Sequence, residues 1–124
     1  MKTKKTAKQK AYGRGLWAES LAALFLMVRG CRILARRYKT PVGEIDLIAR
    51  KGDTLLMVEV KARNNLGSGV EAVDIKTQKR IENAARFFVS AHPRYQNFTV
   101  RFDVVAVARP FRLRHLDNAW QARS

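Results

Sequence analysis

The stretch from Gly43 to Arg63, GEIDLIARKGDTLLMVEVKAR, limits what this chain can fold into more than any other. Two runs rich in isoleucine, leucine and valine flank a short connection containing Gly52, which is the pattern of a β-hairpin. The runs predict one strand over about residues 44–50 and another over about residues 54–62, with Lys51-Gly52-Asp53 turning between them. Charges interrupt both runs. Asp46 stands between Ile45 and Leu47, Glu59 between Val58 and Val60, and Lys61 between Val60 and Ala62.

Side chains alternate across a strand, so Glu59 and Lys61 share one face and Val58, Val60 and Ala62 the other. A register that sets Asp46 on the Glu59 face brings two carboxylates and an ammonium together. Moving an unpaired carboxylate out of water is costly, and oxygen donors of this kind suit a hard cation such as Mg²⁺. The competing reading is an exposed sheet face with a cross-strand Glu–Lys pair, worth under about 1 kcal/mol. The residues alone leave both open.

Length and charge narrow the class. A chain of 124 residues with 47% hydrophobic content is one domain with a real core, which excludes disorder. Lys and Arg number 25 against 10 Asp and Glu, giving a net charge of +15. Five of those cations are lysines among the first ten residues, and subtracting them still leaves +10. A polyanionic partner follows, either nucleic acid or an anionic membrane surface. The membrane is the weaker candidate, because the tail lacks apolar anchors. Cys31 is the only cysteine, which excludes an internal disulfide or a multi-cysteine zinc site and fits a reducing cytoplasm. The apolar run Leu21 to Val28 lies between Glu19 and Arg29 and falls well short of the ~20 residues that span a bilayer. No cleavage site follows it, so neither export nor a membrane segment is expected.

In chain order, residues 1–12 read as a flexible basic tail, 13–110 as the domain, and 111–124 as a basic segment docked on it. Gly13 and Gly15 introduce a helix over about residues 16–29, closed by Gly30, with Trp17, Leu21, Leu24, Phe25 and Val28 toward the sheet. Glu19 reads either as a first-turn acid favoured by the helix dipole or as a group facing Asp46 and Glu59. Residues 31–38 read as a strand, with Arg32, Arg36 and Arg37 available to phosphates. Thr40 to Gly43 form a turn, and residues 64–69 a polar loop of the kind found beside sites. Asp74 caps a helix over about residues 75–91 that buries Ile81, Ala84, Ala85 and Phe88. Lys76 and Lys79 stand at its loop end. His92 reads as a turn residue. The nearly unbroken apolar strand over residues 99–108 suggests a central parallel position, with Arg101 and Asp103 as a structural ion pair. Phe111, Leu113, Leu116 and Trp120 are the docking residues of the final segment.

The element order is α-β-β-β-α-β, an α/β fold with a mixed central sheet flanked by helices. With these carboxylates in these strands it resembles the restriction-endonuclease-like superfamily, whose signature is written PD-(D/E)XK. More closely, the chain after the tail resembles the uncharacterised bacterial YraN family. The resemblance rests on Gly43-Glu44-Ile45-Asp46-Leu47-Ile48, Val58-Glu59-Val60-Lys61-Ala62-Arg63 and Arg101-Phe102-Asp103-Val104-Val105, supported by Glu19 and by Ala119-Trp120. Ile45 stands where the signature has proline.

The resemblance implies a metal-dependent phosphodiesterase site built from Asp46, Glu59 and Lys61, with Glu19 completing it from the helix. Asp46, Glu59 and Glu19 would hold Mg²⁺ or Mn²⁺, the Val60 carbonyl being an additional ligand. Arg36, Arg37, Arg63, Lys76 and Lys79 are the candidate contacts to a nucleic-acid backbone. The expected activity is a cytoplasmic endonuclease selective for structure rather than sequence, on DNA rather than RNA, with branched DNA among its candidate substrates. The alternative is a non-catalytic nucleic-acid-binding module, DNA- or ribosome-associated, that keeps the fold. Dimers occur in the superfamily, but the sequence gives no independent sign of an interface.

Overall fold

The computed structural model describes residues 6–64, 66 and 73–122. The elements in order are α1 (Ala7–Val28), β1 (Arg32–Thr40), β2 (Gly43–Lys51), β3 (Thr54–Arg63), α2 (Ile75–Ala91), β4 (Thr99–Ala108) and β5 (Arg112–Trp120), with a 3₁₀ turn at Pro93–Tyr95 before β4. The strands form one sheet in the order β1-β2-β3-β4-β5. β3 and β4 pair in parallel and every other neighbouring pair is antiparallel. A parallel pair needs a crossover, and α2 supplies it. The α/β, α-β-β-β-α-β expectation holds, with β5 added at the far edge.

The hairpin is as its pattern predicts. Lys51 pairs with Thr54, leaving a two-residue turn in which Gly52 takes φ +59, a conformation glycine adopts without steric cost. Each face of the sheet is closed by one helix. Under α2 lie Ile48, Leu55, Met57, Ile81, Ala84, Phe88, Phe102 and Val104; under α1 lie Ala18, Ala22, Leu26, Leu47, Ala49, Leu56, Val58, Val105 and Val107. The interior run of β4 from Phe102 to Ala108 is buried throughout, which is why it reads as continuous apolar sequence. Gly43 marks where α2 crosses β2, because a Cβ there would run into the Arg80 carbonyl.

Three expectations need correction. α1 begins at Ala7 rather than near Leu16, nucleated by a capping box in which Thr6 accepts from the Gln9 backbone and the Gln9 side chain accepts from Thr6 N–H. Gly13 and Gly15 therefore lie inside the helix, at a cost of about 1 kcal/mol each relative to alanine. Of the tail expected over residues 1–12, Ala7 onward is helix, and residues 1–5 lie outside the described residues. Second, α1 turns Leu24 and Val28 outward, 56% and 80% exposed, and the sheet instead receives Ala18, Ala22, Ala23 and Leu26. Small residues let the helix sit close. Third, the C-terminal segment joins the sheet as β5 instead of docking on it, and Phe111 is 71% exposed. At the other end of α1, Gly30 N–H bonds the Met27 carbonyl and Cys31 N–H the Leu26 carbonyl, with Gly30 at φ +92; these are the two bonds of a Schellman motif. Of the loop expected at residues 64–69, Asn65 and residues 67–69 lie outside the described residues.

Candidate functional site

Asp46 lies where β2 and β3 separate. Their ladder runs from Lys51↔Thr54 to Leu47↔Val58 and stops, although β3 continues to Arg63 paired with β4 on its other side. One further step of the same register would set Asp46 opposite Glu59. Asp46 Oδ2 instead accepts the Val60 N–H at 2.8 Å, standing in for a backbone acceptor at the point of divergence. Within a strand the N–H and C=O of one residue face the same neighbour. The Val60 carbonyl is therefore directed into the same gap.

The alternation of β2 breaks at this point too. Ile45 and Ile48 pack under α2, whereas Leu47 and Ala49 pack under α1. On β1, the residue opposite Asp46 is Arg37, between the pairs Arg36↔Leu47 and Tyr38↔Ile45, and its φ is 51. A left-handed residue other than glycine costs on the order of 1 kcal/mol. The distortion turns Arg37 toward α1, where its Nε donates to Glu19 Oε1 at 2.8 Å.

Both gap carboxylates are strained electrostatically. Burial pushes the Asp46 carboxyl up to about 6, with the charges of Glu19 and Glu44 adding to the rise and the Val60 N–H and Lys61 opposing it. Burial also pushes Glu59 up to about 7, aided by the charge on Asp46 and opposed by Lys61. The two acids thus feel each other, and Lys61, two residues beyond Glu59 on the same face, is the cation that favours ionising both. Asp74, at the start of α2, also feels Lys61 and is held low mainly by the Thr77 N–H that it caps.

The predicted residues divide into two groups. Asp46, Glu59, Lys61 and the Val60 backbone come together. Glu19 lies near enough for its charge to act on Asp46, yet its carboxylate is engaged by Arg37. Among the described residues no three acidic, histidine or cysteine side chains converge as a metal-holding group. Of the expected phosphate contacts, Arg36 bonds Ser20 Oγ at 3.0 Å and Arg37 is held by Glu19. Arg63 Nη1 donates to the Ala62 carbonyl at 3.2 Å, and Lys76 and Lys79 are exposed on the first turns of α2. Sequence reasoning passed over Glu44 and Asp74, whose charges both act on Glu59. Their signals were present: Glu44 is two residues from Asp46 on the same strand, and Asp74 was read only as a cap.

A two-carboxylate set with an inward-facing carbonyl suits Mg²⁺, which keeps several waters and is commonly held by one or two carboxylates plus substrate phosphate. Ion pairing with such a cation would also relieve two acids that burial pushes toward protonation.

The order α-β-β-β-α-β, the parallel β3–β4 pair and the five-stranded mixed sheet flanked by two helices define an α/β protein. Residues 18–107 match the family described as Uncharacterised protein family UPF0102, and this span holds Asp46, Glu59, Lys61 and Glu19. The chain is similar to a UPF0102 protein of Chelativorans sp. (strain BNC1), 48% identical over 117 residues that cover 94% of each chain. It is similar to UPF0102 protein mlr4633 of Mesorhizobium japonicum, 49% identical over 95% of this chain and 94% of the relative. A UPF0102 protein of Nitrobacter winogradskyi is 50% identical over 90% of this chain and 95% of its own. The chain belongs to the UPF0102 family, the YraN family of the resemblance. Among the described residues no helix is long and apolar enough to cross a membrane.

Proposed function

We propose that this protein is a divalent-metal-dependent nuclease that hydrolyses phosphodiester bonds, selecting DNA by structure rather than by base sequence. One observation carries the reading: Asp46 and Glu59 lie half-buried together at the β2–β3 divergence, both pushed toward protonation, with Lys61 beside them. Ionising such a pair costs the fold free energy, and a bound cation would offset that cost. Asp46 and Glu59, with the Val60 carbonyl, would hold Mg²⁺ or Mn²⁺. When bound, the ion supplies Lewis-acid polarisation of the phosphate and a bound water of lowered pKa. Lys61 orients the attacking water and balances charge that builds on the phosphoryl oxygens. Glu19, fixed by Arg37, adds negative potential at Asp46. Lys76, Lys79 and Arg63 hold the backbone on either side, and the net charge of +15 draws it in.

The test is a cleavage screen with Mg²⁺ and Mn²⁺ on single-stranded, duplex, flapped and four-way-junction DNA, with Lys61→Ala beside the wild type. Cleavage should fall at least ~100-fold in the variant while binding is nearly unchanged. Equal cleavage by both proteins removes the nuclease reading.

A second reading, a binding module without turnover, draws on the Asp46–Val60 and Glu19–Arg37 bonds, which give two of the acids structural work. It predicts salt-sensitive binding, weakening by orders of magnitude between about 50 and 200 mM salt, with no metal-dependent cleavage of any substrate.

A further inference from the structure

A cleft of about 510 Å³, lined by Trp17, Ala62, Arg63, Asn64 and Arg109, opens beside the end of β3. Its walls come from α1, the end of β3 and the residue after β4. Trp17 is two residues before Glu19 on α1; Ala62 and Arg63 directly follow Lys61; Arg109 follows the last residue of β4. Trp17 is only half-buried, and the Arg109 guanidinium lies over its ring at 4.6 Å from the centroid.

Among the described residues no strand pairs with this edge of β3 beyond Val58, because the β2 ladder ends at Leu47↔Val58. Glu59 and Lys61 project to the α2 side of β3, and Ala62 packs on the α1 side with Trp17. Four residue steps along the strand take Glu59 to Arg63, about 13 Å, the reach of a few nucleotides. A chain crossing this edge can place a phosphate against Glu59 and Lys61 and a base on the other side, against the indole.

We propose that the cleft is a base-stacking subsite in which Trp17 takes one unpaired nucleobase of a single strand whose backbone runs over this edge of β3. The proposal deepens the nuclease reading and rests on it for the path of the strand. An arginine over an exposed ring makes a weaker contact than a stacked base. The incoming base therefore displaces Arg109 from the indole, and the freed guanidinium meets the adjoining phosphate, as does Arg63 from the opposite wall. A duplex keeps its bases paired and cannot fill the cleft, so the subsite selects single strands, flaps and frayed junction arms. Every base has a flat face, so no sequence preference results.

The experiment measures binding in chelator-containing, metal-free buffer, where cleavage plays no part. Wild type is titrated with a labelled oligothymidylate and with an abasic strand of the same backbone and length. Trp17→Ala and Trp17→Phe are run alongside. Wild type should bind the base-bearing strand about 5- to 100-fold more tightly and show quenched tryptophan fluorescence. Trp17→Ala should lose that preference while its affinity for the abasic strand is unchanged, and Trp17→Phe should keep most of the preference. Equal affinity of the wild type for the two strands overturns the proposal without reliance on any variant. A preference that survives in Trp17→Ala overturns it as well. A parallel cleavage assay separates the two claims: base preference without cleavage defeats only the nuclease reading, and cleavage without base preference defeats only the stacking subsite.

Discussion

Two carboxylate sites on one sheet, one buried and one half-buried, are supported in opposite ways. Asp103, on β4, is fully buried and fully answered: Arg101 donates to both oxygens at 2.9 Å, His115 Nε2 bonds Oδ2 at 2.8 Å, and Asn118 N–H reaches Oδ1 at 3.0 Å. Burial pushes its carboxyl up, and the bonds from His115, Arg101 and Asn118 more than reverse this, leaving it below the usual carboxylate range. Among the described residues Asp46 and Glu59 receive one backbone N–H and one neighbouring lysine between them, and both are pushed up. A protein that satisfies a buried acid completely at β4 and β5 gives a half-buried pair of acids at β2 and β3 far less support. The contrast separates an acid that serves the fold from acids that the fold tolerates.

The largest effect expected from this contrast is at the satisfied site. Asp103→Ala leaves His115 and the Asn118 N–H without their acceptor beneath β5, and should cost about 3 kcal/mol of unfolding free energy at neutral pH. Arg101 limits the loss, since its side chain is 31% exposed and can turn to water. Denaturant unfolding measures it. A loss under about 1 kcal/mol would mean the network is not what holds β5 to β4.

The half-buried pair should respond with the opposite sign. Glu59→Gln in metal-free buffer at pH 8 should stabilise the fold by about 2–3 kcal/mol, since each unit of pKa shift is worth about 1.4 kcal/mol. Folded-state values of about 6 and about 7 lie above the ordinary values of 3.8 and 4.5. The folded protein therefore holds these protons more tightly than the unfolded chain. The stability they give is complete below about pH 4 and is lost as pH rises to about 7. Asp103 works the other way: its contribution is present above its ordinary range and is lost as pH falls below it. The gain from Glu59→Gln should therefore grow between pH 4 and 7 and then level off. A variant no more stable than wild type at pH 8 would mean the pair is solvated and the contrast fails.

How much of this was legible depended on whether a period or a cap encoded it. α2 starts and ends where Asp74 and the stripe Ile81, Ala84, Ala85 and Phe88 place it, and β4 was readable because burial on both faces leaves an apolar run. α1 was misjudged because Gly13 and Gly15 drew the boundary, although Thr6 and Gln9 already spelled a capping box. β5 was missed because an edge strand carries polar residues on both faces, and a register shift between Phe102 and Val104 breaks its alternation. Strand geometry left the approach of Asp46 to Glu59 open, and the ladder that would pair them ends one step short, at Leu47↔Val58. The Glu19–Arg37 pair was not legible, because it depends on a left-handed residue in β1 that no sequence period encodes.

The smallest effect asks whether Lys61 stands over the acid pair in solution. Its charge lowers both carboxyls, against the larger effect of burial. Lys61→Met keeps much of the stem and removes the charge, so both titrations should move upward in a ¹³C carboxyl NMR experiment on the metal-free protein. The same change should cost some stability near neutral pH, where ionising the pair becomes harder. Asp103 is an internal control, because its neighbours are Arg101, His115 and Asn118, and its titration should stay in place. If all three acids move together, the change reflects the loss of one positive charge from a basic protein. If none moves, the ammonium lies away from the gap, and the charge balance proposed for phosphoryl transfer loses its cation.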